Sequence, residues 1–242
     1  MEVDRLTQAV VFLPGLLCDA QLWRPQVDGL AGQIRPWIAG LGRDDTMAGM
    51  ARRVLAEAPF GRFALCGLSM GGYVALEIMR QAPQRIERLA LLDTQAVSET
   101  PEARERRVAL IALAERGEFP QVIERLLPLE IHAPRLADDR LVAVIRSMAS
   151  NTGLEAYLRQ QRAIMQRPDS IPTLAEIACP TLVLCGEHDQ LTPRARHVEM
   201  ADAIRGAALV VLRECGHMST LERPEETNRA LAGWLGTGVP AG

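Results

Sequence analysis

The chain has 242 residues, of which 48% are hydrophobic, and it carries a formal net charge of -3. This length suits one large core, and the charge provides no basic field of the kind that nucleic acid or anionic lipid requires. Five cysteines without a C-x-x-C pair and four histidines without a metal-binding spacing argue against disulfides and zinc, so we expect no cofactor and no metal.

The beginning of the chain predicts no export signal. Residues 1–5 are acidic before they are basic, and the apolar run that follows is broken by Pro14 and Gly15. Every other apolar run is far shorter than the roughly 20 residues that span a bilayer. We therefore expect a soluble, cytoplasmic protein whose partner is a small molecule, with no nucleic-acid or membrane contact. The sequence leaves the oligomeric state open.

Short apolar runs alternate with longer helical patterns along most of the chain. The runs lack a polar face, which is typical of parallel strands that helices bury on both sides. The predicted strands are residues 9–13, 63–66, 88–92, 181–185 and 209–212, and the predicted helices are residues 46–58, 70–81, 193–204 and 224–235. The pattern predicts an α/β fold with a mostly parallel sheet flanked by helices.

The alternation stops between about residues 95 and 178. Helical patterns at residues 101–116, 120–127, 138–150 and 154–166 follow one another there without a strand pattern. Pro101 and Pro120 stand at first helical positions, and Gly117 and Gly153 punctuate the segment. We interpret residues 95–178 as a helical lid inserted into a core formed by residues 1–94 and 179–242.

A G-x-S-x-G motif centred on Ser69 stands between a predicted strand and a predicted helix. Glycine is needed at Gly67 and Gly71, because a sharp strand-to-helix turn leaves no room for larger side chains. Such a turn pushes the Ser69 hydroxyl outward, beside the unpaired N–H groups of the helix start. The motif predicts a nucleophilic serine. A tight turn without chemistry is the alternative for an isolated motif.

A serine nucleophile needs a histidine to accept its proton and a carboxylate to orient that histidine. Asp189 follows the predicted strand 181–185, and His217 follows the predicted strand 209–212. The order Ser69, Asp189, His217 is the one expected for a nucleophile on a strand-to-helix turn of this type. The sequence thus predicts Asp189 as the acid and His217 as the base.

Other acids and bases are available in the sequence. Asp93 also ends a predicted strand and is held as a reserve acid, because the roles in a triad are defined by geometry. His188, next to Asp189, is an alternative base. We interpret His132 and His197, which lie within or beside helical patterns, as surface residues.

Pro14 and Gly15 follow the first predicted strand. A glycine there lets the chain turn so that a backbone N–H points at the oxyanion formed during acyl transfer. We predict the Leu16 and Met70 amides as the two oxyanion donors. A plain strand-end turn is the alternative, since Pro-Gly is a common turn dipeptide.

Three motifs together resemble the α/β-hydrolase superfamily, and within it the small bacterial hydrolases with one lid. They are residues 67–72, residues 186–189 with Thr192-Pro193, and Gly216-His217 followed by residues 222–225. The resemblance covers nearly the whole chain and includes carboxylesterases, enol-lactonases and the esterase of biotin synthesis. It implies the same catalytic triad and the same oxyanion donors. Members usually carry His-Gly where this chain has Pro14-Gly15, so a bond that steadies the oxyanion loop is absent or replaced.

We expect the chain to be a serine esterase that cleaves small to medium, uncharged carboxylic esters through an acyl-enzyme on Ser69. The same triad could serve lactone, thioester or carbon–carbon bond cleavage. A non-catalytic ligand-binding protein of the same fold is a third reading. Plausible lid residues in the acyl pocket are Met148, Leu154, Tyr157 and Met165, although such residues are more often ordinary core.

Overall fold

Six strands form one parallel sheet in the computed structural model, which describes residues 7–236. Residues 1–6 and 237–242, at the ends of the predicted core, lie outside the described residues. The strands are β1 (Gln8–Leu13), β2 (Ile34–Ile38), β3 (Phe63–Leu68), β4 (Ile86–Leu92), β5 (Thr181–Gly186) and β6 (Ala208–Leu212). Their order across the sheet is β2-β1-β3-β4-β5-β6, and each neighbouring pair is parallel.

Helices cover both faces of the sheet, which confirms the predicted fold class. Successive residues of a strand point to opposite faces, so Val10 packs into one apolar cluster and Val11 into the other. The helices are α1 (Arg24–Gly29), α2 (Met47–Glu57), α3 (Met70–Gln81), α4 (Pro101–Leu113), α5 (Phe119–Glu130), α6 (Asp139–Met165), α7 (Ile171–Leu174), α8 (Arg194–Ala203), α9 (Ser219–Glu222) and α10 (Pro224–Leu235).

The edge strand β2 was not predicted from the sequence. Arg35 and Pro36 are exposed in it, and the strand has neither an apolar run nor a regular alternation. Pro36 lacks the N–H that a central strand would need, but an edge strand pairs on one side only. The position of β2 at the edge of the sheet therefore accommodates a sequence that reads as a loop.

The segment between β4 and β5 is helical, with α4, α5, α6 and α7 in succession. α6 replaces the two predicted helices 138–150 and 154–166, and Gly153 (φ 74, ψ 167) breaks its helical backbone where the gap was predicted. Leu126 of α5 and Tyr157 of α6 belong to the same apolar cluster as Phe12 of β1. The segment therefore packs against the same face of the sheet as Phe12. Its role as a separate lid stays a prediction.

Among residues 7–236, none of the helices combines the length and the hydropathy that crossing a lipid bilayer requires.

Candidate active site

Ser69 lies at the junction of β3 and α3 in a strained backbone conformation. Its φ of 55° and ψ of -117° are unusual for a residue with a side chain. A Cβ on Gly67 would lie 2.4 Å from the Gly71 oxygen, and one on Gly71 would lie 2.1 Å from the Leu13 oxygen. Close backbone approach therefore requires both glycines, and the turn holds the Ser69 side chain away from the sheet.

His217 and Asp189 form a buried pair. Nδ1 of His217 lies 2.8 Å from Oδ2 of Asp189, and the two residues are 3% and 6% exposed. The carboxylate is fixed from the other side: the Leu191 and Thr192 amides donate to Oδ1, both at 2.9 Å, and the Thr192 hydroxyl donates to Oδ2 at 2.6 Å. Because the two ring nitrogens lie on opposite edges of imidazole, Nε2 of His217 faces away from Asp189.

The pair shifts the pKa of both partners. Burial favours the neutral acid, but His217 and the hydrogen bonds from Thr192 outweigh burial and lower the pKa of Asp189. Burial also lowers the pKa of His217, but the Asp189 carboxylate outweighs it and raises that pKa to about 9. The arrangement stabilises a positively charged imidazolium, which is the state that a general base reaches after it has taken a proton.

Ser69 and His217 line the same cavity, which has a volume of about 70 Å³. Within residues 7–236, no hydrogen bond joins the Ser69 hydroxyl to the imidazole. Contacts between a nucleophile and its base are often long until substrate binds. The structure thus brings the three predicted residues to one site and joins two of them directly.

The two predicted oxyanion donors lie beside Ser69. Neither the Leu16 nor the Met70 amide donates a hydrogen bond within residues 7–236, and Met70, as the first residue of α3, has no intrahelical acceptor. A Cβ on Gly15 would lie 3.4 Å from the Ser69 Cβ, so the loop after β1 touches the nucleophile turn. Two free amides therefore flank the serine.

The loop after β1 is held by a residue that the sequence did not reveal. The buried side chain of Gln160, on α6, accepts a hydrogen bond from the Leu17 amide at 3.1 Å and donates to the Leu41 carbonyl at 3.3 Å. Leu17 has a positive φ of 59°, so the bond holds a strained residue. Gln160 thus steadies the loop after β1, next to Ser69.

The reserve acid Asp93 does not contact His217. It is fully buried, and its Oδ1 accepts a hydrogen bond from the Gly186 amide at 3.0 Å. Its Oδ2 accepts a short hydrogen bond from the Ser219 hydroxyl. Burial, with the charge of Asp189, raises the pKa of Asp93. Asp93 therefore connects the end of β5 to the chain after His217.

The prediction that His197 lies at the surface is wrong. Its side chain is fully buried on α8, and Nε2 accepts a hydrogen bond from the Thr94 amide at 3.0 Å. Thr94 in turn donates through its hydroxyl to the Ser69 carbonyl at 2.8 Å. Burial lowers the pKa of His197 to about 4, so its neutral ring supports the nucleophile turn. A histidine in a helix of low apolar periodicity gives no sequence sign of this.

The other two histidines lie outside the cavity. His132 and His188 stack on each other with ring centroids 4.4 Å apart. The His188 side chain is 49% exposed, and it lies 3.9 Å from the carboxylate of Glu187. Among residues 7–236, the His188 ring forms no hydrogen bond to Asp189, whereas the His217 ring does. The structure therefore gives no geometric support to His188 as the base.

The predicted wall residues do not line the cavity. Met148 and Tyr157 are fully buried in the apolar cluster, and neither Leu154 nor Met165 reaches the lining. The segment contributes instead polar and apolar side chains from α4, α5, α6 and the loop before α4: Glu99, Arg106, Arg107, Leu110, Leu126, Glu130, Gln161 and Ile164. The four candidate wall residues are therefore not part of the lining, and Met148 and Tyr157 are the ordinary core that was the alternative. A run of Glu and Arg in a helix usually indicates a solvated face, which is why these residues were missed.

Two of the charged lining residues, Glu99 and Arg107, pair with each other. Glu99 accepts from Nε of Arg107 at 3.1 Å, and Arg107 donates to the Gln161 side-chain oxygen at 2.9 Å. Arg167, 7% exposed, forms an ion pair with the same Glu99 and lies over the ring of Tyr73 at 4.3 Å. Two guanidinium groups thus share one carboxylate at this end of the cavity.

Glu222 holds the His217 loop. Its Oε1 accepts hydrogen bonds from the Gly216 amide at 2.9 Å and the Met218 amide at 3.1 Å. Its Oε2 accepts from the His132 amide at 2.8 Å. One buried carboxylate therefore joins both neighbours of His217 to the helical segment.

A model of the alpha/beta hydrolase family matches residues 10–230. The pimeloyl-(acyl-carrier protein) methyl ester esterase of Nitrosomonas europaea is 25% identical over 231 residues, which cover 90% of this chain and 91% of that protein. A thermophilic esterase from Thermogutta terrifontis, solved with malate bound, superposes with a TM-score of 0.84 at 28% identity, covering 94% and 89% of the two chains. The enol-lactonase from Burkholderia xenovorans LB400 superposes with a TM-score of 0.85 at 27% identity, covering 95% and 92%.

Proposed function

Because the chain belongs to the alpha/beta hydrolase family, we propose that it is a serine hydrolase that cleaves small to medium carboxylic esters through an acyl-enzyme on Ser69. One observation carries the proposal. His217 is hydrogen-bonded to Asp189 on one edge of its ring, and it shares a cavity with Ser69. Relatives that are named as esterases at 25% and 28% identity support the same chemistry.

In the proposed reaction, Ser69 Oγ attacks the ester carbonyl and Nε2 of His217 takes the hydroxyl proton. Asp189 stabilises the imidazolium that results. The Leu16 and Met70 amides donate to the oxyanion of the tetrahedral intermediate. When this intermediate collapses, His217 returns the proton to the leaving alcohol, and water then releases the acid by the same steps in reverse order.

We also propose that residues 95–178 act as a lid on a core formed by residues 1–94 and 179–242. α4, α5 and α6 all contribute side chains to the wall of the cavity that faces Ser69. The segment therefore limits which substrates can reach the nucleophile and shields the acyl-enzyme from bulk water. The cavity volume of about 70 Å³ supports small acyl groups.

Steady-state hydrolysis of p-nitrophenyl acetate and butyrate tests the proposal. We expect Ser69→Ala to lower kcat by on the order of 10⁴- to 10⁶-fold, because the nucleophile is lost while binding remains. Ser98→Ala is the matched control, since Ser98 is exposed and lies outside the cavity lining, and it should keep wild-type activity. Undiminished turnover by Ser69→Ala would reject the proposal.

Lactone hydrolysis is the second candidate, and the likeness to an enol-lactonase at 27% identity favours it. The same triad would open a lactone through the same acyl-enzyme, so the two activities differ in substrate shape and not in catalytic groups. A panel of esters, lactones and thioesters, compared by kcat/KM, separates them. Tight binding of a hydrophobic ligand without any turnover would instead favour a non-catalytic protein of this fold.

A further inference from the structure

Glu130 is a buried acid in the wall of the catalytic cavity. It is the last residue of α5, it is 7% exposed, and its side chain lines the cavity together with Ser69 and His217. Its main-chain oxygen accepts the His217 amide at 2.7 Å, which fixes Glu130 next to the base. Within residues 7–236, the Glu130 carboxyl forms no hydrogen bond and no ion pair.

This position is unfavourable for a carboxyl group in three ways. Burial without a hydrogen bond or ion pair costs free energy, and it outweighs the attraction of His217 and raises the pKa of Glu130 to about 7. The carboxyl-terminal end of a helix carries partial negative charge, which disfavours an acid there. Nearby lining residues, Cys18, Leu126 and Met218, are weakly polar or apolar. A group that costs stability and faces a catalytic cavity is expected to have a role there.

We propose that Glu130 is a specificity-determining residue that recognises a hydroxyl group of the substrate in the cavity beside Ser69. The inference rests on the proposed hydrolase function and names the substrate class more closely: esters that carry a hydroxyl group on the acyl or the alcohol part.

The protonation chemistry of Glu130 selects a hydroxyl group over other partners. With a pKa of about 7, the acid and the carboxylate are both present near neutral pH. A hydroxyl group both donates and accepts, so it pairs with either form. A substrate carbonyl pairs only with the acid, and a substrate carboxylate would be repelled by the ionised form. An ammonium group would meet Arg106 and Arg107 in the same lining.

A buried polar group that binds a substrate hydroxyl discriminates strongly against substrate analogues that lack this hydroxyl. An ester without the hydroxyl group displaces water from Glu130 and leaves the carboxyl unpaired. Sites built to bind a substrate hydroxyl can reject such analogues by up to about 10⁴-fold. Because Glu130 also lines a second, smaller cavity, into which its carboxyl group can turn, we expect a preference below that limit, of at least about tenfold.

The test compares pairs of esters that differ by a methyl group in place of a hydroxyl group. For the acyl part, the p-nitrophenyl esters of 3-hydroxybutyrate and 3-methylbutyrate form one pair, and those of 2-hydroxybutyrate and 2-methylbutyrate form another. For the alcohol part, 2-hydroxyethyl butyrate is paired with propyl butyrate. We expect kcat/KM of at least one hydroxylated ester to exceed that of its partner by at least about tenfold.

The variants Glu130→Leu and Glu130→Gln separate recognition from intrinsic ester reactivity. In Glu130→Leu, the ratio of kcat/KM between the hydroxylated ester and its partner should fall close to the ratio of their uncatalysed hydrolysis rates. Glutamine also donates and accepts hydrogen bonds, so Glu130→Gln should keep part of the preference. Glu130→Leu should also raise Tm by about 2–4 °C, whereas a structural role would lower Tm. Glu124→Gln, on the same helix, changes an exposed carboxylate that pairs with Arg146 at the surface, and it should leave the rate ratio unchanged.

The outcomes distinguish this inference from the proposed function. Turnover that depends on Ser69 but shows equal ratios in wild type and Glu130→Leu would overturn the role of Glu130 alone. If Glu130→Leu does not fold, two other results overturn the role of Glu130. One is a wild-type rate ratio no higher than that of uncatalysed hydrolysis, and the other is a full preference retained in Glu130→Gln. Absence of ester turnover, or turnover that survives Ser69→Ala, overturns both.

Discussion

At the level of single residues, three acids surround one imidazole with different consequences. Asp189 contacts Nδ1 of His217, and Asp93 is hydrogen-bonded to Gly186 and Ser219. Glu130 faces the cavity without a hydrogen bond or ion pair to any of the residues that the structure describes. All three carboxylates raise the pKa of His217, with Asp189 acting most strongly and against the effect of burial. The protonation of the proposed base is therefore set by its neighbours and not by exposure to solvent.

The pH dependence of ester hydrolysis follows from this pKa. Only neutral His217 can accept the Ser69 proton, and a raised pKa keeps the ring protonated at higher pH. We expect kcat/KM for a neutral alkyl ester to increase with pH and to level off only near pH 9, because the pKa of His217 is raised to about 9. A pH-stat assay with ethyl butyrate measures this, because that ester resists alkaline hydrolysis better than a nitrophenyl ester.

Asp189→Asn is the variant that tests the cause of this pH dependence. Loss of the carboxylate should lower kcat by about 10⁴-fold and move the midpoint of the remaining activity to lower pH. A wild-type midpoint at or below the ordinary histidine value of about 6.5 would contradict the account. So would an unchanged midpoint in Asp189→Asn, provided that circular dichroism shows the variant to be folded across the range.

At the level of elements, the site is formed by loops at the carboxyl ends of the strands. The loops after β5 and β6 approach so closely that a Cβ on Gly186 would lie 2.0 Å from the Gly216 oxygen. Glu222 of α9 then holds the loop around His217 through three backbone amides. The position of the imidazole therefore depends on a carboxylate that does not itself touch the cavity.

Glu222→Gln tests this positioning role. An amide NH₂ group cannot accept from the N–H groups that now point at the carboxylate, so at least one buried donor is left unpaired at a cost of about 1–3 kcal/mol. We expect Tm to fall by at least about 2 °C and kcat to fall by about 10- to 100-fold with little change in KM. Thermal unfolding and steady-state kinetics measure the two effects.

Glu225→Gln is the matched control for Glu222→Gln, because Glu225 is exposed and lies three residues further along the chain. It should keep wild-type Tm and kcat. If Glu222→Gln unfolded at the wild-type temperature and kept the wild-type kcat, the bonds to Glu222 would have no positioning role.

Helices and strands with a clear apolar pattern in the sequence could be predicted. Those that depend on their position in the folded chain could not. The predicted helices 70–81 and 224–235 have the bounds of α3 and α10. Helix 193–204 begins one residue later, since Pro193 caps α8 instead of opening it. β2 was missed because a proline-containing edge strand lacks the apolar run on which the other strand predictions rested.

At the level of the whole molecule, the cavity lies where the helical segment meets the carboxyl ends of the strands. Strand-end positions and chain order pointed to Ser69, Asp189 and His217 from the sequence, since parallel strands bring their ends to one edge. No local pattern could identify Gln160 or Glu130, because each acts through contacts with residues far away in sequence. The wall of a cavity depends on which helix face turns inward, and the mixed charges of α4 do not reveal that.

Covalent labelling with a fluorophosphonate, followed by peptide mass spectrometry, tests most directly whether these parts act as a serine hydrolase. An activated serine reacts with such a probe, whereas an ordinary serine does not. The account predicts one adduct per chain, located on Ser69, and none in Ser69→Ala. An adduct on another residue, or equal labelling of wild type and Ser69→Ala, would contradict it.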